Sequence, residues 1–449
     1  MGEALSYEAA LRRVLDSAAP GPAETVPFSA AAGRVLAEPL VADRTDPPAL
    51  KSAMDGFALR AADTASAAPE RPLRFRFRGV VAAGQVPAEP LPPSPDGVPE
   101  HWAPGHGVPE HCAPGHGVPG HGTPAEFPAV RIMTGALLPS GADAVVKQED
   151  TQPFGADGFL LRKPLRAGDH VIPPGARMER GETLLEAGAV LGPQAIGILA
   201  AAHRGQVRVY RRPEVAVLAI GDELVAPGQP LAPGKFPVTN LHVVADLARR
   251  YGATVRSLGI APDDPERIFR VLQSCLAPAA GAHGPPRCDL ILTLGGTLRG
   301  DFDFVHAVLE RAGATLHFDR VRMTPAGSTM FATHGDSLLF GLPGTPVAAW
   351  VAFEVLARPA LAKLAGRSEL GRPQVAARLE GALESTGGRA GFVPCRLEFG
   401  RPAPVARPIV GRHPHEAPAS LRADGLIRCA ETGAPPQSGD WVIVEWLAD

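Results

Sequence analysis

Cysteine is scarce and scattered. Cys112, Cys275, Cys288, Cys395 and Cys429 lie far apart with no CxxC pair, which excludes a zinc-finger framework and a disulfide scaffold and fits a reducing cytoplasm. Charge of one sign is also lacking: 44 basic residues face 47 acidic ones for a net −3, so there is no basic field for nucleic acid and no acidic tail. No apolar run approaches 18 residues without a charge or a Pro/Gly break, and MGEALSYEAALRRVL lacks a basic start followed by an apolar core. Neither membrane insertion nor export is expected. Lysine is rare as well, with five against 39 arginines.

Glycine and proline are abundant instead, 50 and 49 in 449 residues, or about 22% against a usual ~12%. Residues 87–128 hold only 19 of these 99, so most of the excess punctuates the rest of the chain. With 45% hydrophobic residues there is material for the cores of two to four folding units.

Tyr7 to Ala18 carries Ala10, Leu11, Val14 and Leu15 at helical spacing, and a second helical stretch covers Gly192 to Ala202. Residues 1–25 and 167–212 form one segment on this reading. Between them, 26–166 shows short apolar stretches broken by Gly and Pro, a β-rich pattern. Within it, Gly97 to His121 repeats every five residues and places His101, His106, His111, His116 and His121 at constant spacing. This tract reads as a disordered or turn-rich loop, or alternatively as a metal-collecting tract using its imidazoles and Cys112. Residues 213–366 alternate apolar strands (EVAVLAI, TVRSLGIA, DLILTL, SLLFGL) with helical stretches, which predicts α/β architecture with a parallel sheet covered on both faces. Residues 367–449 return to short strands (VAARLEGAL, FVPCRLEFG, LIRCAET, DWVIVEW), a small β-barrel or sandwich.

Ligands of open parallel sheets bind beyond the carboxyl ends of strands. Three such ends stand out: AIGDEL with Gly221, Asp222 and Glu223; LTLGGTLRGDFDF with Gly295, Gly296, Thr297, Gly300, Asp301 and Asp303; and FGLPGTPVAAW, where Thr345 can cap a helix beginning at Pro346. Each could equally serve only to turn the chain. A pocket mixing anion-cradling turns with Asp222, Glu223, Asp263 and Asp303 makes sense if a divalent cation lies between, and magnesium suits such oxygen ligands. The loop GGTLRG does not match GxGxxG, which argues against a nicotinamide-dependent dehydrogenase. In the β-rich part, Asp55 precedes Gly56 in KSAMDGFAL, readable as an Asp-Gly hairpin turn or as a site residue. RIMTGALLPSGADAVVKQED holds Thr134 before Gly135 and ends on Glu149 and Asp150.

SAMDGFAL, RIMTGALLPSGADAVVKQED, AIGDELVAPGQPL, GIAPDDPERI, LGGTLRGDFDFV and FGLPGTPVAAW occur in the order seen in the molybdopterin molybdenumtransferase family, related to the C-terminal domain of gephyrin. The chain resembles that family from about residue 5 to its end, excluding the pentapeptide insert. The resemblance implies a helical segment, a β-rich domain inserted into it, an α/β molybdopterin-binding domain and a C-terminal β-barrel. It implies a homodimer whose active site lies between the α/β domain of one subunit and the β-rich domain of the other. The substrates would be molybdate and adenylylated molybdopterin, with Mg2+ required and AMP released. Contacts with molybdopterin adenylyltransferase and with molybdoenzymes would follow. By position, Asp55, Thr134, Glu223, Asp263 and Asp303 match active-site residues. Gly221, Asp222, Gly295, Gly296, Thr297, Gly300, Pro343, Gly344 and Thr345 would bind the pterin and phosphates. Asp222, Glu223, Asp263 and Asp303 would hold the metal or its waters, Thr134 and Asp55 would orient molybdate or pyrophosphate, and Arg320 would supply positive charge.

The chain departs from the family pattern at several turns. MTPAGST puts Thr324 and Gly327 where two lysines are usual, the basic R-R-G-E-D segment is Ile172 to Arg177, Leu298 replaces a serine, and Thr345 replaces an asparagine. Arg299, an addition, would compensate for lost positive charge. The alternative these departures motivate is a diverged paralogue that binds molybdopterin or its nucleotide and delivers it without efficient catalysis.

Overall fold

The computed structural model describes residues 4–95, 126–276, 287–296, 304–409 and 422–447. The pentapeptide tract, Cys112, and the turn residues Thr297, Leu298, Arg299, Gly300, Asp301 and Asp303 lie outside them. The chain forms two compact units, residues 41–184 and residues 1–40 with 185–449.

In the unit 41–184, six strands lie side by side in the order Ala144–Lys147, Gly56–Leu59, Phe127–Ile132, Leu73–Val81, Gly158–Leu161 and Gln152–Phe154. Neighbours are antiparallel except Leu73–Val81 and Phe127–Ile132, which run parallel. Aromatic residues are few in this chain, yet one face of the sheet gathers Phe57, Phe75, Phe127 and Phe159. The Phe57 and Phe159 rings stack at 4.3 Å between centroids and Phe75 and Phe159 at 5.2 Å. Each buried ring contributes about 2 to 3 kcal/mol, and together they hold the sheet that carries Asp55 and Thr134.

The second unit is built on a sheet ordered Thr254–Ala261, Glu214–Ile220, Leu290–Leu294, Ser337–Leu342, Met330–His334 and Thr315–Phe318. The first four strands are parallel. Their unbroken apolar sequence follows from burial on both faces. Val215, Val217 and Ala219 face one core with Val244 and Ala248, while Ala216, Leu218 and Ile220 face another with Ile268, Leu272 and Val308. The parallel expectation fails at one edge, where Met330–His334 runs antiparallel to Ser337–Leu342. Only Gly335 and Asp336 separate these strands, and a connection that short reverses the chain rather than crossing over.

From Pro346 the chain is helical to Leu364, with a π-helical turn at Phe353–Ala357. That turn buries Glu354, 2% exposed. Its Oε2 pairs with Arg372 at 3.0 Å and with Arg358 at 3.4 Å, and Tyr251 donates its hydroxyl to Oε1 at 3.5 Å. A buried carboxylate so surrounded is costly to break, because removing one partner leaves charge uncompensated.

The last strands, Gln374–Leu379, Ala390–Glu398, Val405–Pro408, Gly425–Cys429 and Trp441–Trp446, close into a five-stranded barrel. Closure comes from Ala390–Glu398 pairing with both Val405–Pro408 and Gly425–Cys429. The fold is therefore the multidomain α/β arrangement with a β-rich insert and terminal barrel. Cys275, Cys288, Cys395 and Cys429 are buried free thiols. No helix among the described residues is long and apolar enough to cross a membrane.

The two short helices outside the sheet begin and end as their sequences dictate. Ser6 caps Tyr7–Ser17 by accepting from the Ala9 N–H at 3.2 Å, and Pro193 opens Pro193–Ala201 at the position where proline loses no bond. The latter ends in a Schellman turn: Arg204 N–H donates to Leu199 O at 3.1 Å and His203 N–H to Ala200 O at 3.0 Å. This puts His203, an exposed non-glycine residue, at φ +56°. Left-handed backbone is costly for a residue with a Cβ and free for glycine. His203→Gly is expected to stabilise the protein by about 0.5 to 1 kcal/mol, read as a higher midpoint in chemical unfolding.

Candidate active site

Three parallel strands end together at one edge of the α/β sheet. The end of Glu214–Ile220 leads into Gly221, Asp222 and Glu223, that of Leu290–Leu294 into Gly295 and Gly296, and that of Ser337–Leu342 into Pro343, Gly344 and Thr345. Gly295 has φ +96°, and a Cβ there would stand 2.6 Å from the Ile220 carbonyl oxygen. A Cβ on Gly344 would in turn stand 3.5 Å from the Gly295 Cα. The requirement for glycine falls on residue 295, since a Cβ at 344 would meet Gly295 at an ordinary contact distance.

Beyond them lies a cavity of about 910 Å³. Gly221, Glu223, Asp263, Gly295, Gly296, Pro343, Gly344 and Thr345, all expected from the sequence, line it. Asp222 is not in the lining but ties two turns together: its N–H donates to Asp263 Oδ2 at 3.2 Å, and the Asp263 N–H donates to Asp222 Oδ1 at 3.3 Å. The neighbouring Asp264 is a helix cap, accepting from Glu266 N–H at 2.8 Å and Arg267 N–H at 3.1 Å. Thr345 occupies the N-cap position before Pro346, but its side chain makes no capping bond.

Two further expectations meet a different arrangement. Arg320 is exposed, its carbonyl accepts the Leu5 N–H at 3.3 Å, and it is not among the residues lining the cavity. No group of three or more His, Cys, Asp or Glu side chains among the described residues is placed to hold a metal; of the four expected carboxylates, Glu223 and Asp263 are in the lining, Asp222 stands beside it, and Asp303 lies outside the described residues. Two carboxylates remain a fitting donor set for magnesium, which takes one or two together with phosphate oxygens and water.

Sequence reasoning missed the wall formed by Phe236, Thr239, Asn240 and Ser328. Phe236–Pro237 pairs in parallel with Leu224–Val225, which folds this segment back over the AIGDEL turn. Asn240 then reaches across, its Nδ2 donating to the Gly344 carbonyl at 2.5 Å. Thr239-Asn240 immediately before an apolar helix was the available signal, since it marks a helix start facing the same edge. Lys235 sits beside the turn, donating from Nζ to the Asp222 carbonyl at 2.6 Å.

In the other unit, Asp55 and Thr134 meet directly. Asp55 Oδ1 accepts from the Thr134 N–H at 2.6 Å and from the Thr134 hydroxyl at 2.7 Å. These bonds, the backbone one foremost, hold the exposed Asp55 carboxyl below its ordinary pKa, and the Arg131 charge adds to them. Gly56 lies in a strand rather than at a left-handed turn position. A Cβ on it would collide with the Val146 carbonyl oxygen at 1.9 Å. The Asp-Gly pair is thus no hairpin turn: the glycine seats the strand against its neighbour, and the aspartate pins a second loop. Ser52 N–H to Ala136 O and Gly135 N–H to Ser52 O, each 2.8 Å, zip the two loops together.

Residues 5–202 match the family described as MoeA N-terminal region (domain I and II), and residues 216–363 match that of a probable molybdopterin binding domain. Over 358 residues the chain is 34% identical to a molybdopterin molybdenumtransferase of Bacillus subtilis (strain 168), spanning 79% of this chain and 74% of that protein. A molybdopterin molybdenumtransferase of Nostoc sp. (strain PCC 7120) is 32% identical over 416 residues, 92% of this chain and 84% of its own. A crystal structure of a molybdopterin biosynthesis MoeA protein from Pyrococcus horikoshii aligns with TM-score 0.77 at 27% identity, covering 99% of both chains.

Two substitutions test this geometry. Thr134→Val removes the hydroxyl but keeps the backbone donor, so the Asp55 pKa is expected to rise part of the way to its ordinary value in an NMR pH titration. The charged form of Asp55 is then lost at a higher pH as acid is added. Gly295→Ala is expected to cost about 3 kcal/mol, from the steric contact and the left-handed backbone together, seen as a lower unfolding midpoint.

Proposed function

The chain belongs to the molybdopterin molybdenumtransferase family of molybdenum cofactor biosynthesis, and from that premise we propose that it inserts molybdate-derived molybdenum into adenylylated molybdopterin with release of AMP. The observation that carries this reading is the cavity at the strand ends, walled by glycine turns and bearing Glu223 and Asp263. Cleaving a phosphoanhydride requires positioning and charge neutralisation more than a covalent nucleophile. The backbone of Gly295, Gly296 and Gly344 would admit the pterin and phosphates closely. Glu223 and Asp263 would hold a magnesium ion, whose chemistry is to neutralise phosphate charge. Asp222 keeps the Asp263 loop in place, and Asn240 does the same for the Gly344 turn. Asp55, kept ionised by Thr134, would accept a hydrogen bond from a water or a protonated oxyanion and orient it. Asp303, Thr297, Gly300 and Arg299 would complete the loop that follows Gly296. A homodimer and a cytoplasmic location belong to the same reading.

One observation favours a second reading, a binding or delivery protein without efficient catalysis. The cavity lining among the described residues holds two acids and neither lysine nor arginine, consistent with Thr324 and Gly327 standing where lysines are usual. Lys235 is the cation placed beside the Asp222 turn.

An AMP-release assay with adenylylated molybdopterin decides between them. Turnover that requires both molybdate and magnesium is expected, and Glu223→Gln is expected to lower kcat by about 100-fold or more with the unfolding midpoint retained. Tight binding of the nucleotide without AMP release at saturating molybdate would establish the second reading instead.

A further inference from the structure

Four aromatic side chains among the described residues are exposed: Phe154, Phe236, Phe399 and Trp441. Three of these rings have a partner. The Arg74 guanidinium lies 4.7 Å from the Phe154 centroid, that of Arg378 4.6 Å from Trp441, and the Trp446 ring 5.5 Å edge-on from Phe399. Phe236 is 60% exposed and has no ring or guanidinium partner among the described residues. It is also the one of the four that lines the cavity.

Nothing about Phe236 is loose. Its N–H donates to the Glu223 carbonyl at 2.8 Å, and two residues on the Val238 N–H donates to Val225 O at 2.9 Å. The backbone is fixed on both sides of the ring, so the side chain is presented from a rigid ledge while its face stays in water. Leaving a phenyl ring wet forgoes the gain from burial, and a rigid aromatic face in a cavity wall is what a flat ligand ring requires. Ile220, Leu224 and Val238 in the same lining keep this stretch of wall apolar.

We propose that Phe236 is a binding residue that stacks on the planar fused heteroaromatic ring of the cavity's ligand, a purine or a pterin. The inference rests on the functional reading above for the identity of the ligand. Stacking of this kind selects for a flat π-system and is indifferent to the phosphate end, so Phe236 contributes to ground-state affinity and not to the chemical step.

The test uses the full chain with three probes, AMP, 6-hydroxymethylpterin and ribose 5-phosphate, titrated calorimetrically against wild type, Phe236→Ala and Phe236→Trp. The expected result is about a tenfold weaker affinity of Phe236→Ala for AMP or for the pterin, no change for ribose 5-phosphate, and affinity kept by Phe236→Trp. Which of the two ring probes responds identifies the stacked ring. Wild type and Phe236→Ala binding both rings equally, or wild type binding neither, would overturn the inference. Because the ring is exposed, Phe236→Ala should unfold at the wild-type midpoint. In turnover the same variant should raise KM about tenfold at unchanged kcat. Wild type that binds a ring but releases no AMP would defeat the functional reading and leave the stacking intact. Wild type that turns over, with Phe236→Ala unchanged in KM, would do the reverse.

Discussion

The α/β unit depends on a contact with no side chain in it. Gly295 passes between the Ile220 carbonyl and the Gly344 backbone with no space for a methyl group, and so three consecutive strand ends meet edge to edge. Everything at the site is arranged around that contact. Asp222 and Glu223 follow the first strand, with Asp263 arriving from the neighbouring Thr254–Ala261, the glycine turn follows the second, and the long helix from Pro346 follows the third. The helix is held from behind by Glu354, Arg358 and Arg372, buried beneath its π turn. The cavity wall is therefore anchored by two cores, and its few polar groups inherit their positions from that rigidity.

The unit 41–184 solves the same problem differently. Its sheet is held by stacked phenylalanines, and the polar pair it presents is a carboxylate clasped by a neighbouring loop. Gly56 makes the strand pairing sterically acceptable, while Asp55 joins the loop at Thr134 and Ser52 joins it at Gly135 and Ala136. An exposed carboxylate is ordinarily mobile. Here two short hydrogen bonds to one oxygen fix it and leave the other oxygen available.

Most of this was legible in the sequence where period and punctuation agree. EVAVLAI, DLILTL and SLLFGL read as strands buried on both faces because their apolar runs are continuous and stop at Gly221, Gly295 and Pro343-Gly344, and the same residues mark the turns that line the cavity. Val405–Pro408 was missed because prolines flank it, and Met330–His334 because two residues of turn give no helical spacer. Asp55 was ambiguous because Asp-Gly is a turn signal locally, and only the long-range approach of Val146 explains its glycine. Phe236 escaped because a single aromatic in a Pro/Gly-rich stretch has no periodicity. Its meaning depends on which other exposed rings have partners, a fact of tertiary structure alone.

The parallel pairing of Leu73–Val81 with Phe127–Ile132 bears on how this chain can vary. Adjacent parallel strands oblige the chain to travel back the full length of the sheet before the second strand can start. A long connection is compulsory there whatever it contains. The register is set within the two strands, where the buried Phe75 lies opposite Phe127. A five-residue unit can accordingly be gained or lost between these strands without altering which residues pair.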